Sequence, residues 1–166
     1  ARTWNETNVR LGLQLPFTFT SGRYYRNLTF STGFNTRQVN FTGLSKNRFN
    51  DPQFYFVDGS LAFTMQSQVA RQQIYPQLGN SFLARVRTAV NDVTARQLLH
   101  NDNIYLPGIA PTHSLVLNVA YQARDTMQEY FFGNSFPTPR GYPNFDQPRM
   151  VKLGANYHFP LVYPDW

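Results

Sequence analysis

The sequence contains no cysteine, which excludes disulfides and thiolate-bound metals. It is also poor in charge. Asp, Glu, Lys and Arg make up 14% of the 166 residues, against about 25% in soluble proteins. Acids are the scarcer sign, nine against 15 Lys and Arg, for a net charge of +6 and a pI near 9.8. The basic residues form no run, so no nucleic-acid partner is expected. No apolar stretch approaches the roughly 20 residues of a transmembrane helix. A chain like this can span a membrane only with strands closed into a barrel. The opening ARTWNETNVR has neither the charged end nor the apolar stretch of a signal peptide. A leader is therefore expected to have been removed, or the chain to begin inside a longer one.

Signs of catalysis are equally scarce. His100, His113 and His158 are too far apart for metal-ligand spacing. There is no nucleophile elbow, P-loop or paired acid. Asp92, Asp102 and Asp125 read as turn or rim carboxylates that accept backbone N–H groups. No enzyme activity, cofactor or metal is expected.

What the chain does have is neutral polarity, aromatic rings and alternation. Mean hydropathy is −0.43 although 42% of residues are hydrophobic and 16% aromatic. The polarity comes from Asn, Gln, Ser and Thr. That mixture suits a sheet with lipid on one face and water on the other. Between Val9 and Thr20, the residues Val9, Leu11, Leu13, Leu15, Phe17 and Phe19 alternate with Arg10, Gly12, Gln14, Pro16, Thr18 and Thr20. A barrel-spanning strand needs about 9–11 residues, whereas strands of soluble domains average about 5–6.

The same pattern predicts strands near 8–20, 24–41, 54–74, 81–96, 112–124, 129–136 and 149–163. Interruptions are expected at Pro16, which cannot donate to a ladder, and near Arg37, where the apolar phase slips. Polar loops are expected at 43–53, 100–111 and 137–148. Short and long connections then alternate, as in barrels with short periplasmic turns and longer outer loops. Tyrosines near the strand ends read as interfacial girdles.

The fold expected is thus all-β, an antiparallel up-and-down transmembrane β-barrel of the bacterial outer membrane. It is incomplete, since seven strands fall short of the smallest known single-chain barrels, and the chain is read as one barrel segment over 1–166. Lipid and lipopolysaccharide are its expected surroundings, and remaining barrel strands or other envelope subunits its expected partners. A soluble β-sandwich binding module is the alternative fold, since its inner faces alternate too. Against it stand the strand lengths and the mid-strand charges Arg10, Arg85, Arg87 and Lys152, which a wet lumen tolerates and a dry core does not. Those four would form a basic lumen stripe.

Near the C-terminus the motif Arg140-Gly141-Tyr142 stands in a predicted outer loop. A strand reading KLGANYHFPL follows and ends in His158-Phe159-Pro160-Leu161. This pair of motifs resembles the Omp85 superfamily, the surface-antigen or BamA-type barrels, whose sixth outer loop carries an Arg-Gly-aromatic motif ahead of a strand ending like RFPL. The Asn-rich, aromatic style also resembles large Bacteroidota barrels. The resemblance covers residues 140–161 together with the strand order, and it implies an interior run of the family's strands. It further implies that Arg140, Gly141 and Tyr142 fold into the lumen, and that the protein inserts or translocates other outer-membrane proteins. An arginine suits such a pin because its planar fork bonds a carboxylate in pairs. A passive porin-like or receptor-type transport barrel is the alternative function.

Overall fold

The computed structural model describes residues 3–43, 53–71, 73–90, 95–125, 132–143 and 146–161. They form one antiparallel sheet of seven strands in sequence order. These are β1 (Thr3–Ser21), β2 (Tyr24–Thr42), β3 (Gln53–Ser67), β4 (Gly79–Ala89), β5 (Arg96–Pro107), β6 (Ser114–Arg124) and β7 (Arg149–His158). Each strand pairs with the next, and β1 and β7 do not meet. No α-helix occurs among the described residues. The fold is the expected all-β, up-and-down sheet, open as an incomplete barrel must be.

β1, β2, β3, β4, β6 and β7 fall where strands are expected, although β3 ends at Ser67 rather than near 74. β5 occupies residues 96–107, most of which read as loop, and the strand expected over 81–96 is β4 plus the start of that hairpin. β5 escapes the pattern because His100 and Asp102 interrupt its outward apolar row. The register settles its place, setting His100 between Ala84 and Tyr121, and Asp102 between Phe82 and Val119. Asp102 is therefore a mid-strand residue rather than a turn carboxylate, and Asn80 Nδ2 donates to it at 2.6 Å.

The strand expected near 129–136 is absent from residues 132–136, which are irregular; residues 129–131 lie outside the described set. Phe132 satisfies its hydrophobicity by packing edge-on against Phe56, 5.3 Å between centroids, and not by pairing. The total of seven stands because one strand entered and one left.

No interruption occurs at Pro16 or Arg37, since the β1–β2 register runs unbroken from Thr3↔Thr42 to Ser21↔Tyr24. Alternate residues of an edge strand turn their N–H groups away from the ladder, so a proline fits there without a bulge. Near Arg37 the apolar side chains change face, but the backbone does not slip.

The connections are uneven rather than strictly alternating. Residues 22–23, 68–78 and 108–113 join strands at one end, and 43–52, 90–95 and 125–148 at the other. The second set still includes the longest.

Cross-strand register sorts the side chains onto two unlike faces. One face carries rows such as Leu15–Phe30–Leu61–Ala84 and Phe17–Leu28–Phe63–Phe82. The other carries Gln14–Ser31–Ser60–Arg85 and Thr18–Asn27–Thr64–Ser81. The polar face is the better buried of the two. Among the described residues Asn35, Asp58, Gln97, Ser114, Asn118, Gln122 and Arg124 are buried, against the hydrophobic side chains of Ala95, Leu99, Val116, Ala120 and Phe132. Meanwhile Leu11 and Leu153 are each 78% exposed and Val151 67%. This inverts the arrangement of a soluble core.

Candidate functional site: an arginine-bearing wall and its strap

On the polar face a single row crosses six strands: Gly12, Gly33, Asp58, Arg87, Gln97 and Arg124. Arg10 stands one position above Gly12 on the same face of β1. Its guanidinium reaches across β2 and donates from Nη2 to Asp58 Oδ2 on β3 at 2.8 Å. The reach depends on what β2 lacks. A Cβ on Gly33 would lie 3.0 Å from Arg10 Nε and 3.1 Å from Asp58 Oδ1, so any larger residue would sit in the path of the ion pair. Asp58 also accepts from Asn35 Nδ2, which satisfies both carboxylate oxygens of a buried acid.

Beside this bridge lies a cavity of about 720 Å³, lined on its charged side by Arg10, Arg37, Arg85, Arg87 and Asp58. Arg37 is paired with Glu6 at 2.5 Å. Arg87 donates to Gln97 Oε1 at 3.4 Å and sits 6.0 Å from the Phe132 ring centroid. The Arg85 side chain makes no hydrogen bond or ion pair with any described residue. The expected basic residues Arg10, Arg85 and Arg87 therefore do gather. Lys152 does not join them: it stands on β7, opposite Ala120 of β6, at the far edge of the same face.

Residues 132–136 lie as a strap over the polar face. Gly133 O accepts from Gln97 Nε2 at 3.0 Å. Gln122, wholly buried, donates to Asn134 Oδ1 and accepts from the Ser135 amide, each at 3.0 Å. Arg124 closes the end. Its side chain, 1% exposed, donates to Phe132 O at 3.0 Å, to Gln147 O at 3.4 Å and to Asp146. One arginine thus ties together both arms of the β6–β7 connection.

Arg140, Gly141 and Tyr142 form an exposed turn in the same connection. The Tyr142 amide donates to Pro139 O at 3.3 Å, and Gly141 adopts a φ of 82° that only glycine takes readily. His158, the last residue of β7, packs its ring 4.6 Å from Tyr75 on the polar side. Phe159 packs on His113 at 5.7 Å, Pro160 is half-buried and Leu161 is 85% exposed. Nothing joins these two motifs among the described residues.

The sequence reading missed Asp58, Gln97, Arg124 and Phe132. Asp58 shares its face with Ser60, two residues on. Its pairing with Arg10 required the registers of β1, β2 and β3 together. Among the described residues no three His, Asp or Glu side chains gather as a metal site. Geometry defines the class, an open antiparallel sheet with a polar, arginine-bearing inner face and an apolar outer one. Compared with protein-family models, curated proteins and solved structures, the chain matches none.

Proposed function

We propose that this chain is one arc of a β-barrel in a Gram-negative outer membrane, with its polar face toward an aqueous interior and its apolar face toward lipid. The observation that carries this reading is the inverted burial. Left in water, the six outward apolar side chains of β1 alone would forgo on the order of 10 kcal/mol. That rivals the net stability of an ordinary domain. Lipid removes the loss, and further strands beyond β1 and β7 would pair backbone groups that hydrocarbon cannot satisfy.

Within this reading the barrel serves insertion or translocation of outer-membrane proteins, in the manner of the Omp85 superfamily. The support is the Arg140-Gly141-Tyr142 turn ahead of β7 with its KLGANYHFPL run, and the strap that the same connection lays on the inner wall. Its surroundings are lipid and lipopolysaccharide, and its partners the strands or envelope subunits that complete the ring. A second reading, a passive transport barrel, is favoured by Arg85, whose charge faces the cavity without a described partner.

These 166 residues bring no cysteine of their own, and any elsewhere in the full-length protein is first replaced by serine. Ser60→Cys and Leu61→Cys place a thiol on opposite faces of β3. In the full-length protein in membranes, a water-soluble maleimide is expected to label position 60 and spare 61 until detergent is added. Equal labelling of both would overturn the barrel reading. Arg140→Ala then separates the two functions: impaired assembly of client proteins supports the first, and unchanged assembly with altered ion selectivity in Arg85→Ala supports the second.

A further inference from the structure

The outward face carries a second cavity, of about 620 Å³, where β4, β5 and β6 approach the end with the longest connection. Its apolar floor is Val86, Leu98 and Ala123, which pair in one cross-strand row that ends at Arg149 on β7. Arg96, paired with Thr88, flanks the other side of that floor. Both arginines are exposed, and neither side chain makes a hydrogen bond or ion pair with a described residue. Arg124 also borders the cavity, but its guanidinium is turned to the opposite face and held by Phe132 O and Asp146. Asp125 is the single acid in the lining; its amide donates to Arg96 O at 2.9 Å, which sets it beside Arg96 at the groove's edge.

We propose that this groove binds a membrane lipid with a phosphate headgroup, the phosphate held between Arg96 and Arg149 and an acyl chain lying on Val86 and Leu98. The inference rests on the barrel reading, because it sets the apolar face in lipid. Two cationic groups beside an apolar surface at a membrane boundary lack the hydration they would have in water. Two cations against the one acid Asp125 leave the groove with a net positive charge that suits an anion. Guanidinium forks match phosphate oxygens in pairs. Val86 and Leu98, 49% and 41% exposed, offer the adjoining apolar surface that a free phosphate would leave bare. Charge and shape together therefore select an amphiphile over a soluble anion.

The test uses the full-length protein in phosphatidylcholine bilayers doped with spin-labelled phosphatidic acid. The readout is the motionally restricted fraction relative to spin-labelled phosphatidylcholine. Arg96→Ala and Arg149→Ala are each expected to lower the preference for phosphatidic acid about fivefold. Arg26→Ala, on the same face near the opposite end of β2, should leave it unchanged. Inorganic phosphate in the buffer should not compete. Equal preference in all variants, an equal loss in Arg26→Ala, or displacement by inorganic phosphate would each overturn the proposal. The Ser60 and Leu61 labelling on the same samples tells a failed groove from a failed barrel, since only the latter abolishes the difference between the two faces.

Discussion

At the scale of single residues, the inner wall turns on a glycine and an arginine that carry no motif. Gly33 leaves the gap through which Arg10 reaches Asp58. Gly33→Ala is expected to displace that pair and destabilise the folded protein by about 1–3 kcal/mol, measured as denaturant unfolding in detergent. Gly59→Ala is the control, because a Cβ there meets nothing within 4 Å. Equal stability of the two variants would show that the bridge adds nothing.

Arg124 has the larger stake, with its side chain almost wholly enclosed and several acceptors dependent on it. Arg124→Ala leaves those acceptors unpaired. It should free the strap and raise hydrogen exchange at the Ser135 amide at least tenfold, which is about 1.4 kcal/mol of lost protection. Arg124→Lys keeps the charge but not the fork, so it should protect only in part. Neither residue stands out in the sequence. A glycine between Thr32 and Phe34 and an arginine at a strand end acquire meaning only from their cross-strand neighbours.

At the scale of elements, β1, β2, β3, β6 and β7 were legible because each keeps one parity long enough to outrun a chance pattern. β5 was not. His100 and Asp102 stand in its outward row, and a polar run bounded by Gly108 and Pro111 reads locally as a loop. Pairing overrode the local signal, since β5 shares register with both β4 and β6. Residues 132–136 failed in the opposite sense. Their aromatic composition is that of a strand, but burial of Phe132 against Phe56 and Arg87 holds them as a strap.

The parity of a strand makes its own prediction. Leu61→Arg, on the apolar face of β3, should cost about 2–4 kcal/mol if that face meets the bilayer interior. Thr64→Arg, on the polar face of the same strand, should cost far less. Folding yield into vesicles, read by gel mobility before and after heating, separates the two. Equal yields would argue that both faces are wet.

At the scale of the whole molecule, the sheet has two free edges and a buried face richer in polar than apolar groups. Such a sheet cannot hold itself together in water by an apolar core, and its edges are templates for further pairing. The 166-residue chain expressed alone is therefore expected to sediment as aggregate in detergent-free buffer. A monodisperse soluble monomer in sedimentation velocity would contradict the inverted arrangement.

What the sequence determined by itself was the β class, the two unlike faces and the gathering of charge on the polar one. These are local properties, because a side-chain period of two assigns a face without reference to any other strand. Only the tertiary structure decided that Asp58 meets Arg10 over Gly33, that β5 is a strand, and that Arg124 ties a strap to the wall. Each of these depends on which residue lies opposite which, and register is a property of pairs of strands that no single strand encodes.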